Sequence, residues 1–183
     1  MKNQFLKGKK IYLRDLEEED LPNIQNWLND SEFTRYLFQG DRPSNLQIMK
    51  EDFNKNLKNR NEIAFAIITS NNVHVGWAGI YEINWISRKG ELRFFIGERK
   101  FWKKGYAAEV VTLLVGYAFN KLNLHRVYGG TNIENKGSIK VFRNNGFFEE
   151  GILKEEHFRN GRYYDVIRFG LLNKRHLKGK TSY

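Results

Sequence analysis

The stretch LRFFIGERKFWKKGYAAE, residues 92–109, decides how the rest of the chain is read. Leu92, Phe94 and Ile96 alternate with Arg93 and Phe95, so the segment from Gly90 to Gly97 reads as a strand. From Gly105 the period changes. Ala107, Val111, Leu114 and Ala118 fall on one stripe, which predicts a helix running to Leu122. Between the two lies a basic turn, Arg99 to Lys104. A helix start exposes unpaired N–H groups and the positive end of the dipole, which suits an anion. Gly105 lets that backbone approach a phosphate closely, and Lys103 and Lys104 add charge. The same residues also suit an ordinary strand-to-helix turn.

Working outward, Ile11–Arg14 reads as a first strand and Glu18–Leu28 as a helix with acidic residues at its start. A second helix is expected over Asn45–Leu57, with Ser44 as N-cap. Ile63–Thr69 and Val73–Asn84 are β-rich and joined by the turn Ser70-Asn71-Asn72. Beyond the central helix come a strand (Arg126–Gly130), a helix (Asn135–Asn144) and two closing strands around the hairpin turn Asn160-Gly161. The order β, α, α, β, β, β, α, β, α, β, β predicts a mixed, mostly antiparallel α/β sheet with helices on both faces. A doubly wound nucleotide fold is excluded, because the first half does not alternate.

The 183 residues suit one domain, 1–183, ending in a basic tail over 173–183. With 40% apolar and 15% aromatic residues, the chain can build a packed interior. Having no cysteine, it cannot use disulfides, thiolate metal sites or a thiol nucleophile. His74, His125, His157 and His176 are scattered without metal-ligand spacing, so no metal is expected. No apolar run suits a membrane span or a signal peptide, so the reading is a cytoplasmic protein without a membrane partner. The net charge of +10 admits a solvated surface, a phosphate-bearing cofactor or a nucleic acid. No recognition-helix or RNP-type motif accompanies it and the basic clusters lie far apart, so no nucleic-acid partner is expected.

The central turn resembles the acyl-CoA-binding motif of the GNAT acetyltransferases, Gln/Arg-x-x-Gly-x-Gly/Ala. Gly105 and Ala107 match it, and Trp102 stands where Gln or Arg is usual. Tyr12-Leu13-Arg14, Glu19-Asp20-Leu21 and Trp27-Leu28-Asn29-Asp30 are similar to the N-terminal region of the ribosomal-protein N-acetyltransferase branch (RimJ/RimL-like). Asn135-Lys136-Gly137-Ser138, Arg143-Asn144-Asn145-Gly146-Phe147 and Gly151-Ile152-Leu153 continue the likeness. The resemblance implies a GNAT-like fold and acetyl transfer from acetyl-CoA to a primary amine by direct attack on the thioester. It implies a pyrophosphate held by Trp102, Lys103, Lys104, Gly105, Tyr106 and Ala107. A pantetheine arm would lie along the backbone of Phe94, Phe95 and Ile96 and be bonded by Asn135, which is also a good N-cap.

The attacking amine must be neutral, so a base or a water relay has to take its proton. Glu91 matches the strand glutamate many GNAT enzymes use, although it could simply pair with Arg93. Phe142 fills the position of the family's usual tyrosine acid and has no hydroxyl. Ser138 matches the serine proposed as acid in the ribosomal-protein branch, and a helix-surface serine is its other reading. Trp77, Tyr81 and Trp85 alternate on one strand face; Trp77 and Tyr81, with Glu91, are candidates to line the acceptor cleft, and core packing or a dimer contact is the alternative. The acceptor is expected to be a protein N-terminus or a small amine. Spermidine acetyltransferases are also similar from Gly90 onward, but they carry the tyrosine replaced here by Phe142 and acidic residues where this chain has Phe38-Gln39-Gly40-Asp41-Arg42, which makes a polycation the poorer expectation. A silent acyl-CoA-binding protein is the remaining alternative, and a monomer or a homodimer suits either reading.

Overall fold

The structure, a computed structural model, describes residues 3–174. Eight strands form one sheet: β1 (Leu6–Lys7), β2 (Ile11–Asp15), β3 (Ile63–Thr69), β4 (His74–Asn84), β5 (Lys89–Ile96), β6 (Arg126–Asn132), β7 (Phe148–Arg159) and β8 (Arg162–Leu172). Four α-helices accompany them among the described residues: α1 (Leu21–Leu28), α2 (Leu46–Asn56), α3 (Tyr106–Asn120) and α4 (Lys136–Asn144). The sheet order is β1-β2-β3-β4-β5-β6-β8-β7. Among the described residues only β5 and β6 run parallel. A parallel pair needs a long crossover, and α3 supplies it. The expected mixed, mostly antiparallel sheet is therefore found.

Strand alternation divides the interior in two. Ala78 and Ile80 of β4 and Leu92 of β5 face one way, into a core with Val110, Val111 and Leu114 of α3 and Ile139 and Phe142 of α4. Trp77 of β4 and, less deeply buried, Phe95 of β5 face the other way, against Leu21, Ile24 and Trp27 of α1 and nearby Phe33. Trp77 stacks on Phe95 at 4.3 Å between ring centroids and lies parallel to Trp27 at 6.2 Å. Gly97 has no room for a side chain, because a Cβ there would enter the Trp27 indole.

Several boundaries differ from the expectations. The short strand β1 was not foreseen, since two residues carry no detectable period. The first helix is split: a 3-10 turn over Glu18–Asp20 precedes α1, whose first turn contains Pro22. Asp20 is buried and its carboxylate receives both arms of the Arg14 guanidinium, at 2.7 and 2.8 Å. The N-cap of α2 is Asn45, whose Oδ1 accepts from the N–H groups of Gln47 and Ile48, while Ser44 instead bonds Asn29. Among the described residues no helix is long and apolar enough to cross a membrane. Most of the expected basic tail lies outside the described residues.

Candidate active site

The site begins where β5 and β6 part. They pair at Lys89 with Arg126, Gly90 with Val127 and Glu91 with Tyr128, and among the described residues the ladder ends there. Both strands continue, to Ile96 and Asn132. On its far side β5 stays paired with β4 through Ile96. The side facing β6 is left without a neighbouring strand, and backbone N–H and C=O groups require partners. The fork therefore offers a slot for an extended ligand carrying amides.

A cleft of about 540 Å³ opens at this fork. Its walls include Glu91, Phe94 and Phe95 from β5, Tyr128 and Gly129 from β6, Asn135, Ser138 and Phe142 from the α4 region, and Arg168 from β8. The loop between α1 and α2 closes it with Tyr36, Leu37, Phe38 and Gln39. Of the residues singled out from the sequence, Glu91, Phe94, Phe95, Asn135 and Ser138 thus come together. Asn135 Oδ1 accepts from the Ser138 N–H at 3.1 Å, so it caps α4 and faces the cleft region together.

Glu91 is 8% exposed, on the sheet face that carries α1. Its Oε2 receives Arg93 Nε at 2.6 Å, and its Oε1 receives Arg168 Nη1 at a longer 3.4 Å. Arg93 also reaches Glu82 at 2.7 Å and lies over the Tyr81 ring at 4.9 Å. The looser contact at Oε1 leaves lone-pair capacity for a water or an ammonium. Tyr128, beside Glu91 in register, donates its hydroxyl to Glu82 at 3.3 Å. Its pKa is raised, mainly by burial and then by Glu82 and Glu91, so it stays a hydrogen-bond donor at neutral pH. Arg126 forms a two-armed pair with Glu150 at the same rim.

Phe142 is packed as a wall. It stacks on Phe169 at 4.9 Å and meets Phe94 and Phe147 edge-on at 5.5 and 5.1 Å. A Cβ on Gly129 would stand 2.6 Å from the Phe142 ring, so the glycine makes room for it.

The turn Trp102–Ala107 lies outside these walls, at the start of α3. Gly105 is its N-cap, left-handed at φ 85°, and Lys103 is also left-handed at φ 59°. Such a turn makes a concave run of N–H groups that favours anions. The Trp102 indole N–H donates to the Ile96 carbonyl at 2.7 Å, so one lone pair of that carbonyl is already used. Lys10 Nζ donates to the Lys104 carbonyl at 2.9 Å, bringing a further positive charge to this helix start. The Glu109 carboxylate holds the N–H groups of Lys9 and Lys10 and docks the β1–β2 turn there. In the sequence Lys10 is only one of the basic run Lys7-Gly8-Lys9-Lys10, with nothing local to tie it to this turn.

Trp77 and Tyr81 are placed elsewhere than the acceptor cleft. Trp77 is 7% exposed within the α1 core described above. Tyr81 stands across from Glu91 and beneath Arg93, and burial pushes its hydroxyl up to about 12. It supports the Arg93–Glu91 pair from behind. Trp85 falls beyond β4, past an irregularity at Glu82, and donates its indole N–H to Asn61 at 3.1 Å.

Three comparisons bear on this arrangement. Residues 10–148 match the family model described as an acetyltransferase (GNAT) domain. The chain is 33% identical over 168 residues to the spermidine N(1)-acetyltransferase of Vibrio cholerae, covering 92% of this chain and 96% of that one. It is 29% identical over 167 residues to the Escherichia coli protein of the same name, covering 91% and 88%. The crystal structure of the Vibrio cholerae spermidine N-acetyltransferase in complex with CoA and spermine superposes with a TM-score of 0.85 at 32% identity, covering 93% of this chain and 99% of that one.

Proposed function

Because the chain belongs to the GNAT acetyltransferases, and so is an N-acetyltransferase that uses acetyl-CoA, we propose that its acceptor is a small polyamine. The observation that carries this is the near full-length similarity to two spermidine acetyltransferases, together with a fold match to one of them bound to CoA and spermine. It replaces the protein N-terminus reading, whose case against a polycation rested on Phe142 standing where the spermidine enzymes carry a tyrosine and on the few acidic residues of the 38–42 loop. Carboxylates reach the cleft from other elements: Glu82, Glu91 and Glu150 all line it. Each also shares an arginine, so a bound ammonium would join an existing pair.

In the proposed reaction the pantetheine lies along Phe94, Phe95 and Ile96, and the pyrophosphate sits at the Gly105 turn. The amine nitrogen attacks the thioester carbonyl and forms the new C–N bond. Glu91, directly or through water, receives the proton the nitrogen sheds. The C–S bond then breaks, and the thiolate takes a proton from a nearby donor, for which Ser138 is the candidate. A thiolate is a far better leaving group than an alkoxide, so this donor has modest work at neutral pH. Ser138→Ala is accordingly expected to lower kcat by about tenfold at saturating acetyl-CoA, less than the roughly 10²–10⁴ usual for general acid–base catalysis. Unchanged turnover would remove Ser138 from the reaction.

The acceptor is tested with a thiol-release assay on a panel of spermidine, spermine, an amino sugar, an amino acid and a peptide with a free N-terminus. Spermidine or spermine is expected to exceed the peptide in kcat/KM by about a hundredfold, equivalent to about 2.7 kcal/mol in the barrier. A preference for the peptide would overturn the polyamine reading.

A further inference from the structure

Arg159 ends β7, immediately before the hairpin turn Asn160-Gly161, where chain ends and tips are usually solvated. Its side chain nevertheless is 8% exposed, because it runs inward to the loop joining α1 to α2. There Nη1 donates to the carbonyl oxygens of Leu37 at 3.1 Å and Gln39 at 2.9 Å, and to Asp41 Oδ1 at 3.2 Å. Nη2 donates to Thr34 Oγ1 at 2.9 Å and to the Gly40 carbonyl at 3.1 Å. Five acceptors of one loop thus converge on a guanidinium that lies some 120 residues away in the chain.

The loop that this cation gathers is the one that supplies Tyr36, Leu37, Phe38 and Gln39 to the cleft. Its bends are tight: Thr34–Tyr36 form a 3-10 turn, and Gly40 is left-handed at φ 86° with Thr34 packed where a side chain would go. The Phe38 ring stands edge-on to His157, two residues before Arg159, at 4.8 Å. Carbonyl groups turned toward the interior need donors, and a planar guanidinium presents several at fixed angles. A lysine there has three donors on one atom and cannot span the same set.

We propose that Arg159 is a positioning residue for the acceptor: it gathers the 34–41 loop into the wall that the amine meets, and so sets acceptor affinity without touching the thioester. This rests on the reading above that the amine binds in this cleft. It predicts a separation between the two substrates, because the pantetheine slot and the Gly105 turn are built from other elements.

The test compares Arg159→Ala and Arg159→Lys with the unaltered chain, measuring KM for both substrates and amide hydrogen exchange along the chain. In the alanine variant KM for the best amine of the panel is expected to rise about tenfold or more, with KM for acetyl-CoA held within about twofold. The lysine variant should fall between. Exchange should accelerate within residues 34–41, with the β4–β5 ladder unchanged. Unaltered exchange in that loop, or an equal rise of both KM values, would overturn the proposal. If spermidine is not a substrate, the polyamine reading fails by itself, while the exchange pattern and the KM for whichever amine reacts still decide the role of Arg159.

Discussion

Replacing Glu91 with Gln is expected to lower kcat/KM for the amine about a hundredfold at pH 7, with the KM for acetyl-CoA little changed. A primary alkyl amine has a pKa near that of lysine, about 10.4, so only a very small share is neutral at that pH. A positioned base typically contributes about 10²–10⁴ in rate. Gln is close to isosteric with Glu and keeps an acceptor oxygen for Arg93, which also retains Glu82. Arg168 retains Glu156, at 3.6 Å. The substitution therefore removes the charge and the proton acceptor without stranding either guanidinium. The pH profile separates catalysis from structure. If Glu91 takes the proton, the deficit shrinks as the pH approaches the amine's own pKa, because solvent then supplies neutral amine. A deficit of constant size from pH 6.5 to 9.5 would assign Glu91 to ion pairing with Arg93 and Arg168.

The second large effect is on stability. Phe142→Ala is expected to cost about 3–5 kcal/mol, as large-to-small changes of a buried aromatic do. For a chain of this size each kcal/mol moves Tm by about 2–4 °C, so the melting temperature should fall by on the order of 10 °C. The ring is 1% exposed and is gripped by Phe94, Phe147 and Phe169, while Gly129 leaves it space. Phe94 and Gly129 lie on the two diverging strands of the fork, so the ring wedges against both from α4. Phe142→Leu retains much of the volume and should lose far less. A thermal melt of the two variants checks the order. If alanine and leucine behaved alike, the ring would not be the wedge that the packing implies.

The central strand and helix were legible because each carries its own period. Leu92 to Ile96 alternates, the helix from Gly105 shows a 3.6-residue stripe, and Gly105 supplies the positive φ its turn requires. Asn135 was legible too, since a cap is a local device that acts within three residues. The two tryptophans of β4 show the limit of such reasoning. A period of two says that Trp77 and Tyr81 share a face, but not which stretch of that face α1 covers. Trp77 lies under α1 in the second core, Tyr81 lies beneath Arg93, and neither lines the cleft.

Charge partners were the least legible. Arg93 was named as a partner of Glu91 because the two sit on one strand face, yet the second guanidinium, Arg168, comes from β8, 77 residues further along. Arg126 meets Glu150, 24 residues away, and Arg159 meets Leu37 and Asp41, 122 and 118 residues away. Nothing local to any of these residues encodes its partner. The acidic loop that would mark a polycation site was sought in one segment, whereas the carboxylates of the cleft come from β4, β5 and β7.

From residue order alone came the family resemblance, the strand–turn–helix proposed to receive the cofactor, and the mostly antiparallel sheet, because periods, caps and turn glycines act over a few residues. Tertiary structure alone decided where β5 and β6 part and which loop closes the cleft. It also decided which arginines meet Glu91 and the carbonyls of the 34–41 loop. Those features depend on contacts between segments tens to more than a hundred residues apart, which are made only once the sheet has brought its strands together.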